Sequence, residues 1–311
     1  ERLLVDQPSI ELVDYKGRRP PVKQEPPTDP FTITEWPIPP QLTLAEFKLT
    51  GGRLRRTQKG QAPRVGRFDP SNMQWTDLQV SLNEVNHKGG TLQIPLRGSG
   101  KEFSGLSVDS LSATLNWSSH GLRIEQLKIK TPRSLVNQTI DWASQGNGSA
   151  FRVLLEENRI DPADVNLFLD KPLPLGELIL LRGQIDINGN QVLAKQVWAQ
   201  WGAGARISGD LKATQWRDTK NWQVEFTRSE AFVRSDFLVR FVKLSSSEKA
   251  WIDRIGYAQI RGKGSINGLK ATWDGTLRTQ GGSLQSIGEI LYAEKNDPTY
   301  QVRLNGQLDG L

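Results

Sequence analysis

The sequence has no cysteine and only two histidines and one methionine among 311 residues. The missing cysteine excludes a disulfide framework, a thiolate-ligated metal site and a thiol nucleophile. A histidine-based triad or zinc site would need both His87 and His120, and both stand in turn-like settings, Asn86-His87-Lys88-Gly89 and Ser119-His120-Gly121. Solvated turn histidines are the simpler reading, so no metal or cofactor site is expected. No apolar run approaches the roughly 18 residues needed for a membrane-crossing helix, and no G-x-x-x-x-G-K-[ST] loop is present to cradle a nucleotide. Acidic neighbours such as Glu156-Glu157 occur, but no constellation of carboxylates converges. A glycosidase or lyase on a β-solenoid is therefore disfavoured, and no catalytic residue is expected.

The net charge of +6 is spread along the chain rather than blocked. No basic stripe with interleaved aromatics and no groove-reading helix is present, so nucleic acid is not expected as a partner. Contact with an anionic phospholipid surface is compatible with the charge. Asn-x-Ser/Thr triplets at Asn116, Asn137 and Asn147 are of the kind that arise by chance in a Ser/Thr-rich β chain.

What the sequence does contain is alternation. Residues 1–15 read as one or two strands, and 16–40 carry eight of the 17 prolines, which excludes them from a sheet ladder and marks a loop or linker. From residue 41 to 311 short strands follow one another as one continuous segment. Leu111, Ala113, Leu115 and Trp117 share a face in "LSATLNW". Ile179, Leu181, Ile185 and Ile187 share one in "ILLRGQIDI", and Trp222, Val224 and Phe226 in "WQVEF". Turn signals at His87-Lys88-Gly89-Gly90, Ser118-Ser119-His120-Gly121, Asn188-Gly189-Asn190 and Asn267-Gly268 predict sequential hairpins. Three short helices are predicted after Asp161-Pro162, Ser235-Asp236 and Ser247-Glu248, as caps on a sheet. An apolar-x-Gly-x-apolar repeat is centred on Gly183, Gly209, Gly275 and Gly306, with a variant "IRGKGSI" at 260–266. Glycine weakens a strand, so repeated strand glycines mark bends, bulges or close backbone approach. The predicted fold class is mainly β: a long, curled antiparallel sheet forming a taco-like groove, with a few short helices. An ordinary two-sheet sandwich is the competing reading.

The stretch "FSGLSVDSLSATLNWSSHGLRIEQLKIKTPRSLV", residues 103–136, resembles the TamB proteins of the Bacteroidetes type, through Ser104-Gly105-Leu106, Gly121-Leu122, Thr131-Pro132 and Ser134. Trp117 stands where that pattern more often has Tyr. The opening "LLVDQPSIELVDYKGR" is similar to the strand-Pro-strand start of AsmA-like proteins, and "IDPADVNLFL" and "SDFLVRFV" resemble the short helices between TamB strands. The resemblance implies membership of the AsmA-like and bridge-like lipid transfer proteins. It implies a periplasmic location, with an inner-membrane anchor outside the sequence given. It also implies phospholipid movement toward the outer membrane, and partnership with an outer-membrane barrel of the Omp85 class. Both ends read as mid-pattern, so a membrane helix upstream and more β-rich chain downstream are expected.

A groove needs no catalytic residues, only an apolar inner face, a polar outer face and length. About 16–20 strands at ~4.8 Å spacing would span roughly 80–95 Å. A roughly 16-carbon tail in water costs on the order of 12 kcal/mol, which an apolar trough removes. The predicted lining is Leu111, Ala113, Leu115, Trp117, Leu122, Ile124, Ile179, Leu181, Ile185, Ile187, Val197, Ala199, Trp201, Ile207, Leu211, Trp222, Val224, Phe226, Trp273, Leu277, Val302 and Leu304. The leading expectation is a non-enzymatic phospholipid conduit. The alternative is a chaperone-like partner in outer-membrane barrel assembly. Periodicity assigns these residues to a face without saying what covers it, so a filled core remains open at this point.

Overall fold

The structure, a computed structural model, describes residues 2–15, 43–145, 148–174, 176–218, 221–240, 245–268, 270–291 and 299–308. For 14–15, 144–145, 148–149, 290 and 299–308 it describes the backbone alone. The proline-rich stretch and the predicted boundary at residue 40 lie outside the described residues. The chain is mainly β and mostly antiparallel, with few short helices. It divides into two compact units, Glu1–Gly176 and Glu177–Leu311.

The first unit holds β1 (Arg2–Asp6), β2 (Ser9–Tyr15), β3 (Leu44–Lys59), β4 (Gln74–Lys88), β5 (Thr91–Glu102), β6 (Ser107–Ser118), β7 (Gly121–Lys130), β8 (Leu135–Gln145), β9 (Gly148–Ile160) and helix α1 (Pro162–Asn166). From β3 to β9 each strand pairs antiparallel with the next. The first two strands instead pair parallel with β3, with Leu3 opposite Phe47 and Ile10 opposite Leu54. They are separated at Gln7-Pro8, where Gln7 donates its amide to the Thr50 carbonyl at 2.7 Å.

The second unit holds β10 (Ile179–Asn188), β11 (Gln191–Trp201), β12 (Ala205–Thr214), β13 (Gln223–Arg234), β14 (Tyr257–Asn267), β15 (Lys270–Thr279), β16 (Gly282–Leu291) and β17 (Thr299–Leu308). Consecutive strands pair antiparallel throughout. Helices α2 (Ser235–Leu238) and α3 (Ser246–Ile255) lie between β13 and β14. All four predicted turn signals fall between paired strands. Gly89 and Gly90 adopt φ of 57° and 76°, the conformation a two-residue hairpin loop requires.

The helices form where capping chemistry allows. Asp161 caps α1 by accepting from the Ala163 amide at 2.8 Å, and Pro162 occupies the first turn. The last helix begins earlier than Ser247-Glu248 suggests, because Ser245 and Glu248 form a reciprocal capping box. The middle helix is a single turn with Arg234, not a Ser or Asp, at its N-cap. Its Phe237 is buried against Gly204.

Strict alternation fails at bulges: one each in β3, β6 and β9, and five that share a left-handed non-glycine residue. In β4, β7, β11 and β13 an extra residue stands opposite a shorter partner. At these points Asp77, Glu84, Gln126, Gln196 and Arg228 adopt φ between 50° and 54°. A bulge shifts the side-chain phase by one. So Leu122 and Ile124 share a face with Leu127 and Ile129, as Val192 and Ala194 do with Val197 and Ala199.

In the second unit the strand glycines stand near the bulges. Gly262 and Gly275 are direct partners in β14 and β15. A Cβ on Gly262 would lie 2.3 Å from the Asp274 carbonyl oxygen, and one on Gly275 would lie 2.4 Å from that of Arg261. In a flat pleated pair Cβ points clear of the neighbouring backbone. Here the backbones of β14 and β15 approach so closely on this face that only hydrogen fits. Gly262→Ala is therefore expected to destabilise the protein by about 1–3 kcal/mol. Gly281→Ala, whose Cβ would meet only the Thr279 hydroxyl at 3.8 Å, is expected to be neutral. Urea midpoints of the two variants check this.

Candidate functional site: an apolar sheet face

The register decides which side chains share a face, because directly opposed residues point the same way. In the first unit Leu111, Leu115 and Trp117 stand opposite Gly98, Ile94 and Leu92 on one side, and opposite Ile129, Ile124 and Leu122 on the other. Ala113 lies between them, opposite Leu96. In the second unit Ile179, Leu181, Ile185 and Ile187 oppose Trp201, Ala199, Ala194 and Val192. Ile207 and Leu211 continue this face from β11 to β13, where Leu211 opposes Phe226 and Ala213 opposes Val224. Ala231 opposes Ile260, which opposes Leu277, while Phe226 opposes Gly264, which opposes Trp273. Trp222 precedes β13 in phase with Val224, and its carbonyl accepts from the Gly268 amide at 3.1 Å. The backbones of Val302 and Leu304 pair with Gly288 and Ser286; their side chains lie outside the described residues.

At every paired position of this face from β10 to β16 the residue is apolar, glycine, serine or threonine. Charge is confined to the other face, where Glu230 binds Arg206 at 2.8 Å and Arg261 at 3.1 Å across three strands. Hydrogen bonds from Gln259 and both arginines outweigh burial and hold the Glu230 carboxyl below its usual range. The apolar face is accessible: Ile207 is 42% and Ile260 51% exposed, where a closed core would bury both. Trp273 lies over Gly288 with its ring nitrogen donating to Ser286 at 2.8 Å. The polar edge of this ring is thus satisfied without a charge. In the first unit one end of the face is closed, with Val85 and Leu92 fully buried and Trp142 edge-on to Phe151 at 6.4 Å.

Leu127, Ile129, Val192, Ala194, Ala231 and Val233 belong to the face but lie beyond bulges, so alternation read from the predicted residues misses them. The signal is two adjacent polar residues inside an alternating run: Glu125-Gln126, Lys195-Gln196 and Thr227-Arg228. His87 is the last residue but one of β4, opposite Leu92, and His120 sits in the β6–β7 turn. Among the described residues no group of His, Asp and Glu is arranged to hold a metal ion.

One rim of the first unit is built from turns held by buried carboxylates. Glu102 accepts from the Gln74 amide at 2.9 Å and the Ser104 amide at 2.6 Å. Asp69 accepts from the Ser71 amide and the Asn72 side chain. Asp164 of α1 accepts from the Thr131 and Ser134 hydroxyls, both at 2.6 Å, and from the Arg133 guanidinium. The Thr131 hydroxyl in turn accepts from the Ser134 amide at 2.7 Å. Beyond α1 the chain runs back along this rim. The Phe68 amide donates to the Leu167 carbonyl at 2.8 Å, the Phe68 ring packs at a tilt against Phe168, and Arg64 and Arg67 both pair with Asp170.

No protein-family model, curated protein or solved structure matches this chain.

Burial opposes ionisation of Asp164, but the donors from Ser134, Thr131 and Arg133 more than offset it and hold its carboxyl below the ordinary 3.8. A depressed folded-state pKa gives stability that is complete well above the unfolded value and fades as pH falls through it toward the folded one. Asp164→Asn is therefore expected to destabilise by about 2–3 kcal/mol at neutral pH. The difference from wild type should shrink below pH ~4. Urea unfolding at neutral pH and in acid checks both arms.

Proposed function

We propose that this face binds acyl chains and that the protein is a non-enzymatic phospholipid conduit of the Gram-negative periplasm. One observation carries the reading: an uncharged face runs across successive strands of the second unit while its large side chains remain accessible. An accessible Ile forgoes part of the roughly 1.5–3 kcal/mol that full burial gives. A fold that leaves such residues open in register keeps an apolar surface available to a ligand, and an acyl chain is the ligand that needs no polar partner. A single buried charge would interrupt the path, since an unpaired charge in an apolar site costs several kcal/mol.

The periplasmic setting, the inner-membrane anchor and the Omp85-class partner rest on the resemblance at 103–136. In the structure most of its signature residues are turn residues, while Gly121 and Leu122 open β7. Ser104-Gly105 follows the Glu102 clasp, and Thr131, Pro132 and Ser134 form the turn held by Asp164. The turn residues support a shared scaffold, and of the signature Leu122 lies on the apolar face, opposite Trp117. The cargo is therefore argued from the face alone.

Native mass spectrometry of the purified protein with phosphatidylethanolamine and phosphatidylglycerol tests the reading. Wild type is expected to carry lipid. Leu181→Asp and Ile207→Asp are expected to lower bound lipid about tenfold or more with unchanged circular dichroism, since that loss corresponds to only about 1.4 kcal/mol. Arg182→Ala and Ser208→Ala on the opposite face should leave it unchanged. Equal lipid in all four variants would contradict the reading. A lipid-free wild type that binds barrel strands would support the assembly-partner role instead.

A further inference from the structure

The clasped rim of the first unit has a second property, independent of whether the apolar face carries lipid. Its turns present large apolar side chains outward. Val65, in the loop between β3 and β4, is 92% exposed, and Phe103, in the turn between β5 and β6, is 83% exposed. Phe168, on the returning segment, is 54% exposed. These turns belong to one rim because β4 and β5 pair at Trp75 and Glu102, and the Phe103 amide donates to the Gln74 carbonyl at 2.9 Å. Both tips project freely: a Cβ built on Gly66 or on Gly105 would meet nothing within 4 Å.

The rim also sorts charge by sign. Its carboxylates Asp69, Glu102 and Asp164 are buried, with their oxygens turned to amides and hydroxyls of the turns. Its cations face outward. The side chains of Arg64, Lys101 and Arg133 are 53%, 67% and 46% exposed, and Lys130 and Lys171 are exposed as well. Arg133 is bonded to the buried Asp164, and the exposed acids Asp77 and Asp170 sit against Lys101 and against Arg64 with Arg67; Lys130 and Lys171 are outward cations outside these pairs. Apolar tips flanked by outward cations match the interface of an anionic bilayer, where the tips enter the acyl boundary and the cations meet headgroup phosphates.

We infer that this rim of the first unit is a docking surface for an anionic phospholipid membrane, with Val65 and Phe103 inserting. The test is co-sedimentation of the whole chain with phosphatidylcholine vesicles containing roughly one third phosphatidylglycerol. The Val65→Ser/Phe103→Ser double variant, altered only at exposed tips, is expected to bind these vesicles at least about tenfold more weakly. Arg64→Gln/Lys101→Gln should weaken binding to these vesicles, but not to pure phosphatidylcholine, and added salt should do the same. Because the chain has no cysteine, Phe103→Cys and Lys88→Cys each take a single environment-sensitive fluorophore. A blue shift on vesicle addition at 103 and none at 88, on the hairpin at the other end of β4 and β5, is the expected result. Unchanged binding by the serine variant would overturn the inference, as would equal shifts at both positions. So would a tip-dependent self-association without vesicle binding, since it would assign the rim to a second copy. Ile207→Asp separates the two proposals: it should reduce bound lipid and leave vesicle docking intact.

Discussion

A strand offers each side chain one of two faces, and a sheet that bends must bring its backbones together on the concave side. These two requirements conflict whenever the concave face carries side chains along the line of bending. The second unit resolves the conflict with glycine. Gly262 and Gly275 face each other where a Cβ would collide with a neighbouring carbonyl. Gly183 and Gly209 occupy similarly close positions, each with a Cβ site 2.8 Å from a partner Cα. The bulges at Gln196 and Arg228 lie beside them. An extra residue on one strand adds local twist, and the phase slip that follows returns the next apolar residue to the concave side.

Rigidity and openness are thereby separated. The apolar face contributes little closed core in the second unit, where Ala199, Ala213 and Val224 are buried but Ile207 and Ile260 are not. Stability is carried by the hydrogen-bond ladder, the charged lattice on the opposite face and, in the first unit, the clasped turns. The Asp164 network satisfies each hydroxyl it uses as both donor and acceptor, the condition under which buried polar groups stabilise. Exposed ion pairs such as Arg64 with Asp170 add little.

The fold class, the sequential hairpins and the capping of α1 were legible because each rests on local chemistry: alternation, Gly-containing turns and Asp-Pro. The predicted face was legible strand by strand, and Leu111, Leu115, Leu181 and Ile207 stand where alternation puts them. Three things were not. The parallel pairing of β1 and β2 with β3 is a non-local choice that no turn signal announces. The residues beyond bulges were lost because a phase slip looks like the end of a strand unless the doubled polar residues are noticed. The clasps at Glu102 and Asp164 join residues 28 to 33 positions apart, so their role was invisible in the Ser-Gly-Leu and Thr-Pro-x-Ser stretches that carry the resemblance.

The central claim is that one register-defined face, bulges included, meets acyl chains. A photo-crosslinking amino acid placed at each position of β11 in turn, followed by irradiation with phospholipid, tests it most directly. Adducts are expected at Val192 and Ala194, then at Val197 and Trp201, and not at Leu193, Lys195, Trp198 or Gln200. The period of two should slip by one at Gln196. Adducts spread evenly over both faces, or none at any position, would contradict the account.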